Sequence, residues 1–186
     1  MRKELAPEWA LLGLLTQKPM HGYELYQYFA DPSALGQVWY LGLSQMYKLL
    51  KALERQGYLE VTVEWQENYP ARKVYHITPS GRATFLQWME KPVKNPRLIR
   101  VEFLAKLFLA QFLGTEIIER VINAQLETCQ AQLTRLQERM EEERGPGVND
   151  EGFEHLVFRF RKGQIQAVID WLRYCRRVFL PTPRLN

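Results

Sequence analysis

Ser44, Gln45, Tyr47, Lys48, Lys51 and Arg55 carry hydrogen-bonding groups and cations at spacings that one helix would gather on one side. The chemistry open to such a face is recognition of a polyanion. Side chains in the first turns, here Ser44 and Gln45, can meet the base edges of DNA, Tyr47 can bond a phosphate or pack on a sugar, and Lys48, Lys51 and Arg55 can neutralise phosphates. A simpler alternative is the solvated side of an amphipathic helix, since Met46, Leu49, Leu50 and Leu53 repeat at helical spacing on the other side. A second pair of cations, Arg72-Lys73, ends a turn with Tyr69 before it and Tyr75 after it. Cations in that place can lie along the backbone or minor groove of DNA. Their plainer use is to blunt the edge of a strand pair with charge.

Other reactive residues assemble into nothing catalytic. His21, His76 and His155 fall in three different elements without partners at metal-ligand spacing. Cys129 and Cys175 lie far apart and read as reduced thiols. The run Glu138 to Arg144 reads as a solvated helix end, and neither a glycine-rich phosphate loop nor a nucleophile elbow occurs. The sequence therefore points away from an enzyme and calls for no metal and no cofactor. A net charge of +4 and 46% hydrophobic residues fit an ordinary soluble chain with an anionic partner. No apolar run is long enough to span a membrane, and Trp9 to Leu15 reads as a first core helix, so the expected location is cytoplasmic.

The elements that must position these residues follow from periodicity. One helix runs through Trp9 to Leu15 and stops at Lys18-Pro19, and a second covers His21 to Phe29. Ser44 is placed to cap a third, which Gly57 terminates. Leu59, Val61, Val63 and Trp65 alternate with polar residues as a half-buried strand, Glu67 to Arg72 is turn material, and Lys73 to Thr78 returns. Thr78-Pro79 then opens another helix. Three helices, a β-hairpin and a further helix make the order of a winged helix-turn-helix. The two prolines of Glu90 to Arg97 mark a seam, beyond which the chain is helical throughout. The expected fold is mainly α with a small β-hairpin, as a DNA-binding unit over 1–91 and a helical dimerisation unit over 97–180.

In that second unit, one helix is expected over Arg97 to Phe112 and a longer one from a Thr115 cap to Arg144, stopped by Gly145-Pro146-Gly147. Ile122, Leu126, Cys129, Leu133, Leu136 and Met140 are spaced as a coiled-coil seam, and Phe153, Val157, Phe160 and Trp171 stripe the last helix. Either stripe can serve a homodimer or close a helical hairpin within the chain. A small helical pair has little core of its own, which favours the dimer.

From His21-Gly22-Tyr23-Glu24-Leu25 through Ser44-Gln45-Met46-Tyr47-Lys48-Leu49-Leu50 to Ala71-Arg72-Lys73-Val74-Tyr75-His76-Ile77-Thr78-Pro79-Ser80-Gly81-Arg82, the chain resembles the PadR-like regulators. Arg100 to Leu109 is similar to the start of their virulence-activator-type C-terminal unit. The resemblance implies a winged-helix homodimer, generally a repressor on a pseudo-palindromic operator in double-stranded DNA. It also implies DNA-facing roles for Tyr23, Ser44, Tyr47, Arg72 and Lys73. The chain departs from the family at Lys48, where proline is common, so the family's base contacts need not transfer. Release by a small aromatic effector is a further implication, with Trp39, Trp65, Phe108 and Phe112 as candidate walls of an apolar pocket. The rival to DNA binding is a winged helix serving as an adaptor for an acidic protein.

Overall fold

The computed structural model of the protein describes residues 7–66, 69–142 and 152–180, with backbone alone at 66, 69 and 70. In chain order the elements are α1 (Pro7–Leu15), β1 (Met20–His21), α2 (Gly22–Ala30), a 3-10 turn (Leu35–Gln37), α3 (Leu43–Arg55), β2 (Leu59–Gln66) and β3 (Tyr69–Ile77). They continue as α4 (Pro79–Glu90), α5 (Pro96–Leu98), a π-helical turn (Ile99–Phe103), α6 (Leu104–Ala110), α7 (Thr115–Glu142) and α8 (Phe153–Phe179).

Helix α1 has no polar side: Ala10, Leu11, Leu12, Leu14 and Leu15 are all buried. Such a helix belongs at the centre of a core, and it packs on α3, α4 and α6 together. Gly13 sets the approach, because a Cβ there would stand 2.6 Å from Phe85 of α4 and 2.8 Å from Leu109 of α6. One apolar cluster therefore runs from α1 across the seam into α7 and α8.

The three strands are ordered β1-β3-β2, all antiparallel, with Met20 opposite Tyr75 and Leu59 opposite Ile77. Gly57 has φ of 76° and closes α3 as expected, the amides of Gly57 and Tyr58 returning to the carbonyls of Glu54 and Leu53 at 3.0 Å each. Thr78 caps α4 as expected, accepting from the Gly81 amide at 3.0 Å and donating to the Gly57 carbonyl at 2.8 Å. Two expected caps shift, one by two residues and one by a single residue. Helix α3 is capped by Gly42, whose carbonyl takes the Met46 amide at 3.0 Å, so Ser44 lies inside the first turn. Likewise Thr115 is the first residue of α7, and the Ile117 and Ile118 amides return to Gly114 at 3.1 and 3.2 Å. The helix expected over Arg97 to Phe112 is divided by the π-helical turn and ends at Ala110. Gly145-Pro146-Gly147 lies outside the described residues.

The seam is held by side chains from beyond it. Gln125, fully buried in α7, accepts from the Val93 amide at 2.7 Å and donates to the Val93 carbonyl at 2.9 Å. Gln132 donates to the Lys94 carbonyl at 2.6 Å. Lys106, 2% exposed, donates to the Lys91 carbonyl at 2.5 Å, pairs with Glu102 at 3.1 Å and stands 4.7 Å above the Trp88 ring. The Trp88 indole N–H in turn donates to Glu102 at 3.1 Å. Burial pushes the Lys106 ammonium below the usual lysine range, against the opposing pull of Glu102.

Helices α7 and α8 form an antiparallel hairpin, Glu119 near one end meeting Arg176 near the other at 4.0 Å. Within one chain the stripe follows the hairpin alternative. Ile122, Leu126, Cys129 and Leu136 are buried and Leu133 and Met140 half-buried, and the hairpin is closed by Ile165, Ile169, Leu172 and Cys175 of the same chain. Trp171 and Val157 are half-buried too, Trp171 lying edge-on to Phe103 at 5.9 Å. What stays open is the outer side of α8, with Phe153, Leu156, Phe160, Ala167, Tyr174 and Val178 all exposed.

The clamp yields a stability prediction. Gln125→Leu leaves a buried N–H and C=O of Val93 unpaired and costs about 2–4 kcal/mol. Glu102→Gln leaves the buried Lys106 cation without its carboxylate and costs about 3–5 kcal/mol. Urea unfolding followed by circular dichroism measures both, and losses under about 1 kcal/mol would remove the clamp as a stabilising element.

Candidate nucleic-acid interface

Helix α3 buries Met46, Leu50 and Leu53 and turns the opposite side outward. At 100° per residue, Ser44, Lys48, Lys51 and Arg55 fall on one outward line, and all four are exposed. Tyr47 and Glu54 flank that line on one side and Gln45 on the other, each exposed as well. Lys48 sits in regular α-helix, as its departure from proline leads one to expect.

Tyr47 is positioned by a glycine. A Cβ on Gly22 would lie 2.6 Å from the Tyr47 ring and 2.7 Å from its hydroxyl, so only glycine lets that ring rest on the start of α2. Tyr23, the next residue, is 62% exposed and tilts against Tyr26 at 6.2 Å. The structure thus brings Tyr23 and Tyr47 to one corner beside the α3 line. His21 and Glu24 hold the corner: the Glu24 carboxylate accepts from the His21 amide at 2.8 Å, and that bond, aided by Lys18, lowers its pKa despite some burial.

The wing divides the two cations that the sequence sets side by side. Arg72 and Lys73 both lie within β3, not in the turn, with Arg72 opposite Glu64 and Lys73 opposite Val63. Successive strand residues point to opposite faces. Lys73 therefore shares a face with Val61, Val63, Trp65 and Tyr75, while Arg72 shares the other with Thr62, Glu64 and Val74. Tyr75 lies close enough to Tyr47 and Glu54 that their charges, after burial, raise its phenol pKa. Leu59, Val61, Tyr75 and Ile77 of this face join the core that Met46, Leu50 and Leu53 enter, so the Lys73 face is the one turned toward α3. Arg72 stands on the reverse, where Glu64 also approaches His21 at 3.8 Å. Residues 67 and 68 between the strands, and the Tyr69 side chain, lie outside the described residues.

The four expected pocket walls fall on separate elements. Trp65 is 85% exposed on the wing, Phe108 and Phe112 stack edge to face at 5.2 Å, and Trp39 is half-buried behind the 3-10 turn. Trp65 was legible as the last member of the β2 alternation, but alternation does not say where a hairpin outruns its core. Among the described residues no three His, Cys, Asp or Glu side chains could hold a metal, and no helix is long and apolar enough to cross a membrane.

Known proteins match along most of this length. Residues 11–87 fit the transcriptional regulator PadR-like family and residues 99–179 the virulence activator alpha C-terminal family. The negative transcriptional regulator PadR of Bacillus subtilis is 30% identical over 130 residues, 70% of each chain. A probable transcriptional regulator of Mycobacterium tuberculosis is 32% identical over 88 residues, 47% of this chain and 46% of its own. Of solved structures, Bacillus subtilis PadR in complex with operator DNA is 26% identical with a TM-score of 0.47, covering 94% of this chain and 99% of that one. The PadR-like regulator of Bacillus cereus is 24% identical with a TM-score of 0.43, covering 96% and 98%. With a winged helix at one end, its matching C-terminal unit at the other and a curated relative at that identity, this chain belongs to the transcriptional regulator PadR-like family.

Proposed function

We propose that the protein is a sequence-specific DNA-binding transcriptional regulator, a repressor acting in the cytoplasm on a pseudo-palindromic operator as a homodimer. The observation that carries this is the outward line Ser44, Lys48, Lys51 and Arg55, continued on its sheet side by Tyr47, Tyr23 and the Lys73 face of the wing. Helix α3 enters the major groove, with Ser44 and Gln45 at base edges and the three cations on phosphates. Lys73 lies against the backbone on the same side, and Trp65 beyond it packs on sugar. Arg72 serves the opposite flank. Repression comes from the relative's printed name.

Pairing follows from affinity and from surface. One helix in one groove reads few base pairs, so two half-sites are needed. The exposed side of α8, from Phe153 through Leu156 and Phe160 to Tyr174 and Val178, is the apolar strip that a second copy covers. On this reading the dimer contact lies on α8, with α7 as its internal support. The Bacillus subtilis relative has been solved with p-coumaric acid, and a small aromatic effector is the corresponding proposal for this chain.

Fluorescence anisotropy on the DNA upstream of the protein's own gene tests the reading. Lys51→Ala, Arg55→Ala and Lys73→Ala should weaken binding to every sequence alike, each lowering the log–log salt slope by about 1. Arg72→Ala should change affinity less than Lys73→Ala. Gln45→Ala should instead relax preference at one base pair, by about 1–3 kcal/mol. Absence of a salt-sensitive, sequence-preferring complex would leave the basic face to an acidic protein partner. Light scattering should give twice the 22.0 kDa of one chain, falling to one chain in Leu156→Asp/Phe160→Asp. A monomeric mass for the unaltered protein would end the dimer proposal.

A further inference from the structure

The first turn of α3 runs out past the core that holds the rest of the helix. Leu43 and Leu50 stand two turns apart and within about 20° of each other around the axis. Leu50 is fully buried, as are Met46 and Leu53, whereas Leu43 is 40% exposed. Tyr40, just before the helix, is exposed as well. Single exposed leucines are ordinary on a protein surface. This one adjoins Ser44 and Gln45, on the helix end that meets base edges in the proposed complex.

Helical side chains lean toward the N-terminus of their helix. Leu43 therefore projects ahead of Ser44, about 100° around the axis from it, on the side of Tyr47 and away from Gln45. Residues 43 to 45 spread across the leading turn as an apolar group, a hydroxyl and an amide. The N-cap before them is Gly42, with φ of −68° and ψ of 146°, a conformation open to any residue. A Cβ on Gly42 would meet nothing within 4 Å. Neither backbone nor packing calls for glycine there, and serine or asparagine would add a bond to the first turn. Glycine does keep this end of the helix low, so that an outside surface can come against its backbone.

The chemistry of that surface follows from what each side chain offers. Ser44 and Gln45 can exchange hydrogen bonds with polar base edges, but Leu43 has neither donor nor acceptor. Phosphate gives a leucine no partner. The apolar group displayed in the major groove is the C5 methyl of thymine. We propose that Leu43 reads thymine, closing on the methyl of one thymine in each half-site beside the edges met by Ser44 and Gln45. The proposal rests on the DNA-binding reading of α3 and adds to it a base that the helix end selects.

Duplexes that the unaltered full-length protein selects from a random library supply the probe. Deoxyuridine replaces thymine at one position at a time, in both half-sites together, removing the methyl and leaving the hydrogen-bonding edge intact. Fluorescence anisotropy should find a position at which this weakens binding about tenfold over the two half-sites. Leu43→Ala should lose a similar factor on the thymine duplex and bind the thymine and deoxyuridine duplexes equally. Its log–log salt slope should stay unchanged, because no phosphate contact is lost. Leu43→Met, still apolar and unbranched, should keep a preference for thymine. Circular dichroism spectra matching the unaltered protein confirm the fold of both variants. Undiminished binding of every deoxyuridine duplex would overturn the thymine proposal and leave DNA binding standing. So would a full thymine preference retained by Leu43→Ala, which assigns the methyl effect to another residue or to DNA shape. Failure to select any salt-sensitive, sequence-preferring duplex would end the DNA-binding reading, and the thymine proposal with it.

Discussion

A helix with no outward face governs this molecule. Burying a leucine side chain contributes about 1.5–3 kcal/mol, and α1 brings Leu11, Leu12, Leu14 and Leu15 into one short span. The winged helix covers part of that surface with α3 and α4, and α6 covers another part from the far side of the seam. Gly13 tightens both contacts at once, since Phe85 and Leu109 occupy the space a side chain would need. Neither half of the chain can then leave the other without exposing α1 to water. The reading helix α3 is fixed to α1, α1 to α6, and α6 to the hairpin by the same packing.

Such a shared core forces a connecting segment indoors, where its backbone polar groups lose water. That accounts for polar side chains at positions where a hairpin would otherwise choose leucine. Gln125 replaces the two bonds of Val93 with its own amide, pairing as a neighbouring strand would. Lys106 and Gln132 answer the carbonyls of Lys91 and Lys94 on either side. Lys106 brings a charge into the interior to do so, and Glu102 with the face of Trp88 makes that tolerable.

Much of the local structure could be read from sequence because its causes are local. Gly57 announces a left-handed helix stop, Thr78-Pro79 a capped start, and the alternation from Leu59 a strand. What escaped depends on distant partners. Strand β1 is two residues long and exists only because β3 pairs with Met20 and His21. The stripe from Ile122 to Met140 has the period of an interface, but period says nothing of whose helix fills it. At the candidate interface, the cations of α3 were legible from the amphipathic pattern. The division of Arg72 from Lys73 was not, since it turns on whether they sit in a turn or in a strand, one residue of register apart from a common face.

The two faces of α8 decide how the reading heads can be arranged. Its inner side, with Ile165, Ile169 and Leu172, is buried against α7, which leaves the outer side as the surface open to a second copy on the proposed reading. A contact on the outer side leaves α7, with 28 residues and therefore about 42 Å long, as a strut within each subunit. The distance between two α3 helices then depends on helix length and crossing angle and not on a flexible tether. A dimer built so can match only operators whose half-sites fall at one spacing.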